Sequence, residues 1–327
     1  MNAGGLDLRR AMLLAVLLVV TLAGFAVGDP TILSSDNLSS MAVFAVEIGI
    51  IAFGQTLVIG AGGGGIDLSV GATASLSQVI MGLLMIHGIP WPLAAMAALL
   101  VGAAAGMLNG AAVALLGIPP IIVTLATMFS FGGLALVFTG GVNIDLTASP
   151  ASFLDIGQGH LLGLPVQVLG AWLPLLLVFI YVQHFTRFGR AHTLVGTNEL
   201  AARLTGLRVG RLRFITYVIT GMLAAVAGII ETARLGTASA QAAEDANLIS
   251  IAIAVLGGTS IFGGEGSVIG TALATLVIGV LDYGLSYSDF NPIFQAGAMG
   301  LILIGAVLVE NIMRPALARR HNSIVKS

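Results

Sequence analysis

Ile121-Ile-Val-Thr-Leu-Ala-Thr-Met-Phe-Ser-Phe-Gly-Gly-Leu-Ala-Leu-Val-Phe-Thr139 is the stretch that decides the class of fold, because it runs for the length of a bilayer without one charged residue. A helix needs about 20 mainly apolar residues to cross the hydrocarbon core of a membrane. The whole chain shares this character: 57% of its 327 residues are hydrophobic and 9% are charged. The 44 glycines and the scarcity of aromatic residues favour closely packed helices over a barrel. We therefore predict an all-α integral membrane protein.

Outward from this stretch, nine further apolar runs follow the same rule, and together they predict about ten transmembrane helices. The ten runs are 11–27, 42–60, 70–86, 93–116, 121–139, 166–185, 214–233, 248–262, 267–287 and 293–313. The eighth is short, so a tilted, a broken and a re-entrant helix all stay open. The first could also be a cleaved signal peptide, but its removal would disturb the charge pattern described next. Residues 1–327 are thus predicted to form a single transmembrane domain.

Basic residues gather in three regions of the chain, which fixes the predicted orientation. They are Arg9 and Arg10; Arg187, Arg190, Arg203, Arg208, Arg211 and Arg213; and Arg314, Arg319, Arg320 and Lys326. The positive-inside rule places all three regions, including both termini and the loop 186–213, in the cytoplasm. The loops 28–41 and 140–165 carry aspartates but no Arg or Lys, as expected on the other side. Arg234 is the exception, and we expect it to pair with Glu231 one helical turn earlier.

Glycine-rich breaks precede the third and the ninth predicted spans. Interrupted hydrophobic segments in both halves of a transporter mark the region that binds the substrate. We therefore predict helix breaks at Gly64, Gly65, Gly257, Gly258, Gly263 and Gly264.

A short amphipathic helix is predicted over residues 198–206 of the basic loop. Asn198 is a favoured N-cap, Glu199 complements the helix dipole, and Gly206 is a typical C-terminal stop. Leu200 and Leu204 share one face, and Leu207 is expected to continue it. So short a helix needs something to pack against. It either rests on lipid headgroups or docks onto a cytoplasmic partner.

Four stretches of the sequence carry a family resemblance. They are Gly64-Gly-Ile-Asp-Leu-Ser-Val-Gly71, Ile118-Pro-Pro-Ile-Ile-Val-Thr-Leu-Ala126, the loop with Glu199, Ala201, Ala202 and Gly206, and the run from Ala254 to Gly270. Together they resemble permease subunits of the ribose-type carbohydrate ABC importers, which include permeases for ribose, xylose, galactose and autoinducer-2. The resemblance covers about residues 30–310. The chain departs from it at 243–248, which read Ala-Glu-Asp-Ala-Asn-Leu.

The resemblance implies that this chain works together with several partner proteins. Residues 198–206 would be the coupling helix, seated in a groove of a cytoplasmic ABC ATPase that binds ATP and Mg. Its contact residues would be Asn198, Glu199, Ala201, Ala202, Arg203 and Gly206, with the alanines permitting close seating. The chain would lie in the bacterial inner membrane beside a second permease, identical or related. A periplasmic sugar-binding protein would deliver a monosaccharide; membrane lipid surrounds the chain, and no nucleic-acid partner is expected.

Polar residues in or beside the spans are the candidates for the solute path or its gate: Asp67, Ser69, Gln55, Gln78, Asn109, Thr124 and Thr127. Asp67 precedes a helix, so capping is its simpler role, whereas a carboxylate at a membrane segment also marks functional sites. Both roles stay open, and Ser69 and Thr73 fit either. For Gln55 and Asn109 the plainer role is hydrogen bonding between helices.

The sequence argues against catalysis by this chain. Its only lysine is Lys326, so it lacks a Walker A motif. It has no cysteine, and its five histidines (87, 160, 184, 192 and 321) are scattered, so neither a catalytic nor a metal site is expected. An intramembrane enzyme would need a nucleophile–base or metal set that is missing. The remaining alternative is an ion-coupled secondary sugar transporter, for which Glu47 and Asp282 are the candidate coupling residues. A pentose or hexose is the first expectation for the cargo, while a furanose signal or a polyol stays open.

Overall fold

A computed structural model of the protein describes residues 3–243 and 245–288, together with 297, 300, 301 and 305. Most of the tenth predicted span, the basic residues 314–326 and His321 lie outside the described residues. The helices are α1 (Ala3–Gly28), α2 (Ser35–Gly60), α3 (Val70–Ile86), α4 (Trp91–Gly110), α5 (Pro120–Thr139), α6 (Ala151–Gln158), α7 (Leu173–Phe185), α8 (Arg187–Thr197), α9 (Glu199–Leu204), α10 (Val209–Leu235), α11 (Ala246–Leu256) and α12 (Val268–Tyr287). A π-helical turn extends α4 (Ala111–Leu115), another precedes α7 (Val168–Trp172), and a 3₁₀ turn (Pro30–Leu33) precedes α2.

Seven of the helical segments in the described part of the chain are long and apolar enough to cross a membrane. They are α1 from Arg10, α2, α4 with its π turn, α5, α7 with its π turn, α10 and α12. The shorter apolar helices α3 and α11 occupy the third and eighth predicted spans. The prediction of 248–262 as one span was wrong at its end, because α11 stops at Leu256 and the glycine-rich break begins there. Of the forms left open for this span, the structure shows a short helix followed by a break.

Capping residues set the ends of several helices. The hydroxyl of Ser267 accepts a hydrogen bond from the backbone N–H of Gly270 (3.1 Å) at the start of α12. Gly140 and Gly236 follow α5 and α10 with φ of 60° and 65°, in the left-handed conformation that glycine adopts without strain. These two glycines explain where α5 and α10 end.

The loops contain more structure than the sequence predicts. The loop 140–165 holds α6 and three short strands, β1 (Ile144–Asp145), β2 (His160–Leu161) and β3 (Leu164–Pro165). β2 pairs with β3 in an antiparallel hairpin, and β1 pairs with β4 (Thr237–Ala238) at the end of α10. The loop 186–213 holds two helices, α8 and α9, where one is predicted.

Helix α10 lies at the centre of the bundle and packs against α2, α3 and α4. Its contact with α4 depends on glycine, since a Cβ atom on Gly102 or Gly221 would overlap the backbone oxygen of the other. A Cβ on Gly106 would likewise overlap the backbone oxygen of Tyr217. Such small residues let membrane helices approach closely.

The two ends of the bundle are distinct. At one end Arg10 donates a hydrogen bond to the Gly258 oxygen (3.1 Å), and the backbone N–H of Gly264 donates to the Gly60 oxygen (3.0 Å). At the other end Tyr287 donates to Asp29 (3.1 Å). The start of α1 therefore lies at the same end as the two glycine-rich breaks.

Candidate translocation and coupling sites

A buried network of polar side chains surrounds Asp67 in the break between α2 and α3. The Asp67 carboxylate accepts hydrogen bonds from the Ser69 backbone N–H (2.8 Å) and hydroxyl (2.6 Å). Asn109 of α4 donates to the Ser69 hydroxyl (2.8 Å), and Thr127 of α5 donates to the Asn109 carbonyl oxygen (2.8 Å). Ser69, rather than Asp67, is the residue that precedes α3. Asp67 thus orders the turn before α3 and ties it, through Ser69, to α4 and α5.

Two further predicted residues hold the backbone of the same turn. Gln55 of α2 donates its amide N–H to the Asp67 backbone oxygen (2.6 Å) and faces the Asp67 N–H with its own oxygen (3.4 Å). Thr124 of α5 donates to the Ile66 oxygen (3.3 Å). Non-helical backbone at membrane depth is tolerated only where the protein satisfies its polar groups. Gln55 and Thr124 meet that requirement here.

Gln78 does not join this network, although the sequence groups it with Thr124 and Thr127. It accepts a hydrogen bond from Thr232 of α10 (3.0 Å) and donates to Glu231 (3.2 Å). Gln78 lies more than two helical turns beyond Ser69 along α3, so it faces a different part of α10.

A second polar cluster forms where α2 and α10 meet, at the end of the bundle opposite α9. Arg234 makes a bidentate pair with Glu47, at 2.7 and 2.8 Å. The expected partner was Glu231, and that prediction was wrong, because the guanidinium reaches across to α2 instead of back along its own helix. Glu47 is 8% exposed, and a buried carboxylate requires such a partner.

Helix α9 has the caps that the sequence predicts at both ends. The Asn198 side chain accepts from the Ala201 N–H (2.9 Å). At the other end Leu207 N–H donates to the Ala202 oxygen (3.1 Å) and Gly206 N–H to the Arg203 oxygen (3.0 Å), with Gly206 at φ of 82°. This is the Schellman arrangement. The short helix is therefore defined by its own sequence.

The faces of α9 differ from the predicted ones. Leu200 and Leu204 are 68% and 81% exposed, whereas Ala202 is fully buried. Ala202 packs with Val195, Val209 and Leu212 of the same chain, and Leu207 packs against this group too. Leu207 therefore does not continue the exposed leucine face. Ala202 seats α9 on its own bundle, so its predicted role in contacting an ATPase does not fit its burial.

The comparisons with known proteins bear directly on this arrangement. The family described as branched-chain amino acid transport system / permease component matches residues 37–309. The ribose import permease protein RbsC of Bacillus subtilis is 36% identical over 86% of this chain and 87% of its own length. The autoinducer 2 import system permease protein LsrD of Photorhabdus temperata is 35% identical over 96% of both chains, and that of Yersinia enterocolitica is 33% identical over 95% and 96%. No solved structure matches.

The chain belongs to the ribose-type ABC importer permeases. The resemblance carried by the four sequence stretches is thereby confirmed. The permease is a multi-pass protein of the bacterial inner membrane, and as a permease component it is a transport subunit.

In the sequence, Arg213 serves only as a marker of orientation, but the structure gives it a further role in the permease. Its guanidinium donates to Glu199 of α9 (2.8 Å) and to the Ala61 oxygen at the end of α2 (3.3 Å). Arg203 also donates to Glu199 (2.7 Å). These hydrogen bonds, from Arg203 first and Arg213 next, hold the pKa of the Glu199 carboxyl below its usual value.

Close backbone contacts join the end of α8 to both glycine-rich breaks of the permease. A Cβ on Gly196 would overlap the Gly60 oxygen and the Gly264 nitrogen. His192 of α8 donates to the Leu57 oxygen of α2 (2.7 Å), and burial lowers the pKa of this histidine, which favours the neutral ring. Since α8 runs directly into α9, the two breaks and the short helix form one contiguous unit.

A cavity of about 440 Å³ lies between α9 and the Asp67 network. Glu199, Arg203 and Arg213 are among its lining residues, together with Pro119 and Tyr217. The Tyr217 side chain is 2% exposed, and its hydroxyl has no hydrogen-bond partner among the described residues. The cavity is the candidate inner mouth of a solute path.

Proposed function

We propose that the permease carries a monosaccharide across the inner membrane by alternating access, driven by a separate cytoplasmic ATPase. Its relatives named for ribose and autoinducer 2 import support a small hydroxyl-rich cargo, with a pentose or hexose as the first expectation. A periplasmic binding protein delivers the sugar. A second permease subunit, identical or related, completes the membrane unit, and both termini face the cytoplasm.

The observation that carries this proposal is the shape of α9. A six-residue helix displays two exposed leucines on one face, while its opposite face is fixed to the bundle through Ala202. Covering these two leucines with a partner would remove apolar surface from water, which is favourable. A docked ATPase would cover Leu200 and Leu204, and Glu199 with Arg213 would pass its motion to α2.

The solute path in this proposal runs through the region of the Asp67 network. Asp67, Ser69, Asn109, Thr124 and Thr127, with Gln55, hold α2, α3, α4 and α5 around one turn, and the inner cavity leads toward it. A rearrangement of this turn would open or close the path. Gln78 belongs with Glu231 at the other end, and we assign it no part in this gate.

Reconstitution tests the proposal. The permease is placed in proteoliposomes with its second permease subunit, its co-expressed ATPase and its binding protein, and uptake of D-ribose, D-xylose and D-galactose is followed. We expect uptake of one sugar that needs ATP and all of these proteins and that is unaffected by a protonophore. Uptake by the permease alone, driven by a proton or sodium gradient, would overturn the proposal.

Docking of the ATPase is tested separately with Leu204→Glu. We expect this exposed charge to abolish co-purification of the ATPase, since it introduces a carboxylate into an apolar contact. Leu162→Glu is the matched control, because Leu162 is 93% exposed in the loop at the opposite end. Equal ATPase recovery with both variants would show that α9 is not the docking element.

A further inference from the structure

A cavity of about 130 Å³ lies near the outer end of the bundle, beside the Glu47–Arg234 pair. It lies between α2, α10 and the segment that leads into α11, and Phe44, Glu47, Glu231, Arg234 and Ala242 are among its lining residues. Arg234 is the last but one residue of α10, so the cavity lies at the end opposite the basic loop. This is about ten times the roughly 10–15 Å³ that admits a single water, so the cavity has room for several waters or a small polar ligand.

The cavity contains more polar groups than the Glu47–Arg234 ion pair alone. Arg234 and Glu47 satisfy one another through two hydrogen bonds. Glu231 is additional: among the described residues it accepts one hydrogen bond, from Gln78. A carboxylate has about four acceptor positions. Ionisable side chains inside membrane bundles mark substrate pathways by default.

Apart from Asp245, the remaining lining residues are apolar. Phe44 lies under the Arg234 guanidinium, 5.5 Å from the ring centroid, and Ile48, Ile51 and Ile249 complete one side. Small-molecule sites typically combine such apolar walls with a few convergent polar groups. A carboxylate can accept hydrogen bonds from the hydroxyl groups of an uncharged ligand.

We propose that this cavity is a binding site for a neutral polyhydroxylated solute, entered from the outer side. Glu231 accepts hydrogen bonds from ligand hydroxyls, and Glu47 holds Arg234 in position to donate to ligand oxygens. The inference rests on the proposed import of a monosaccharide. It places a first binding site for the sugar in the outer half of the bundle, separate from the inner cavity below the Asp67 network.

The absence of cysteine from the chain permits a direct test. Ala242 lines the cavity, and its neighbour Gln241 is exposed and does not. Ala242→Cys and Gln241→Cys are each made in the natural background. The full importer, in right-side-out vesicles without ATP, is then labelled with a small maleimide. We expect at least one of D-ribose, D-xylose and D-galactose to slow labelling of Cys at 242 several-fold while leaving Cys at 241 unaffected.

A second variant separates binding from a merely structural role of the cluster. Glu231→Gln keeps the shape of the side chain but exchanges acceptor positions for an amide donor. In the Ala242→Cys background it should raise the sugar concentration for half-protection about tenfold, which corresponds to one hydrogen bond. Unchanged half-protection would show that Glu231 does not contact the sugar.

The outcomes also distinguish this inference from the proposed function. If the reconstituted importer accumulates a sugar and that sugar does not protect Cys at 242, the outer site is wrong and the importer assignment stands. If no sugar is taken up with the second permease subunit, the ATPase and the binding protein present, the proposed function itself fails.

Discussion

Arg213 joins Glu199 of α9 to the Ala61 carbonyl oxygen at the end of α2, at 2.8 and 3.3 Å. One side chain thus connects the exposed helix to the glycine-rich break that holds Asp67. Because the side chain is only 17% exposed, this link is less screened by water than a surface pair.

Replacing Arg213 should therefore uncouple ATP hydrolysis from transport. In Arg213→Ala we expect sugar uptake per ATP to fall about tenfold, in line with the loss of a charge-assisted hydrogen bond. ATPase co-purification should persist, because Leu200 and Leu204 are untouched. The measurement is the ratio of uptake to phosphate release in proteoliposomes. Arg211→Ala is the control, since Arg211 is exposed on the same turn, and an equal effect of both variants would rule out a specific role for Arg213.

Gly196 should tolerate no side chain. Its Cβ would overlap the Gly60 oxygen and the Gly264 nitrogen, both backbone atoms that cannot rotate away. Gly196→Ala should lower stability by about 1–3 kcal/mol, as overpacking does. Thermal unfolding of the purified permease in detergent measures this. Gly133→Ala is matched, because a Cβ there meets no atom within 4 Å. An unfolding temperature equal to that of the control would contradict the close contact.

Thr127→Val should disturb the Asp67 network while keeping the shape of the side chain. It removes the donor to the Asn109 oxygen, so we expect a loss of about 1 kcal/mol in stability and a larger loss in uptake. Ser130→Ala serves as the control, because among the described residues the Ser130 hydroxyl bonds to its own helix, at the Ala126 oxygen (2.9 Å). If Thr127→Val takes up sugar as fast as the wild type, the Asp67 network is not part of the gate.

The lowered pKa of Glu199 predicts a pH dependence of stability. A carboxyl whose folded pKa lies below its unfolded value stabilises the fold above the unfolded value, near 4.5, and loses this contribution as pH falls through the folded pKa. Wild type should thus exceed Glu199→Gln in unfolding temperature at neutral pH, and the difference should shrink below pH 4.5. A difference that stays constant with pH would show that the charge of Glu199 is not involved.

Local features were the ones that the sequence predicted well. The caps of α9 at Asn198 and Gly206 depend on hydrogen bonds within a few residues, and the glycine-rich breaks interrupt helices because glycine adopts positive φ without strain. The tertiary contacts were harder to predict. Arg234 was expected beside Glu231, but it pairs with Glu47. Leu207 was expected to extend the exposed leucine face of α9, but it packs inward against the Ala202 cluster.

The sequence by itself determined that this chain crosses the membrane many times, which loops are basic, and where the caps of α9 lie, because apolar length, charge and capping are read residue by residue. Only the tertiary structure decided that Arg234 reaches Glu47, that Gln78 leaves the Asp67 network, and that Arg213 links α9 to α2. The physical reason is that helical periodicity defines the faces of a helix, whereas the partner of each face depends on which helices pack together.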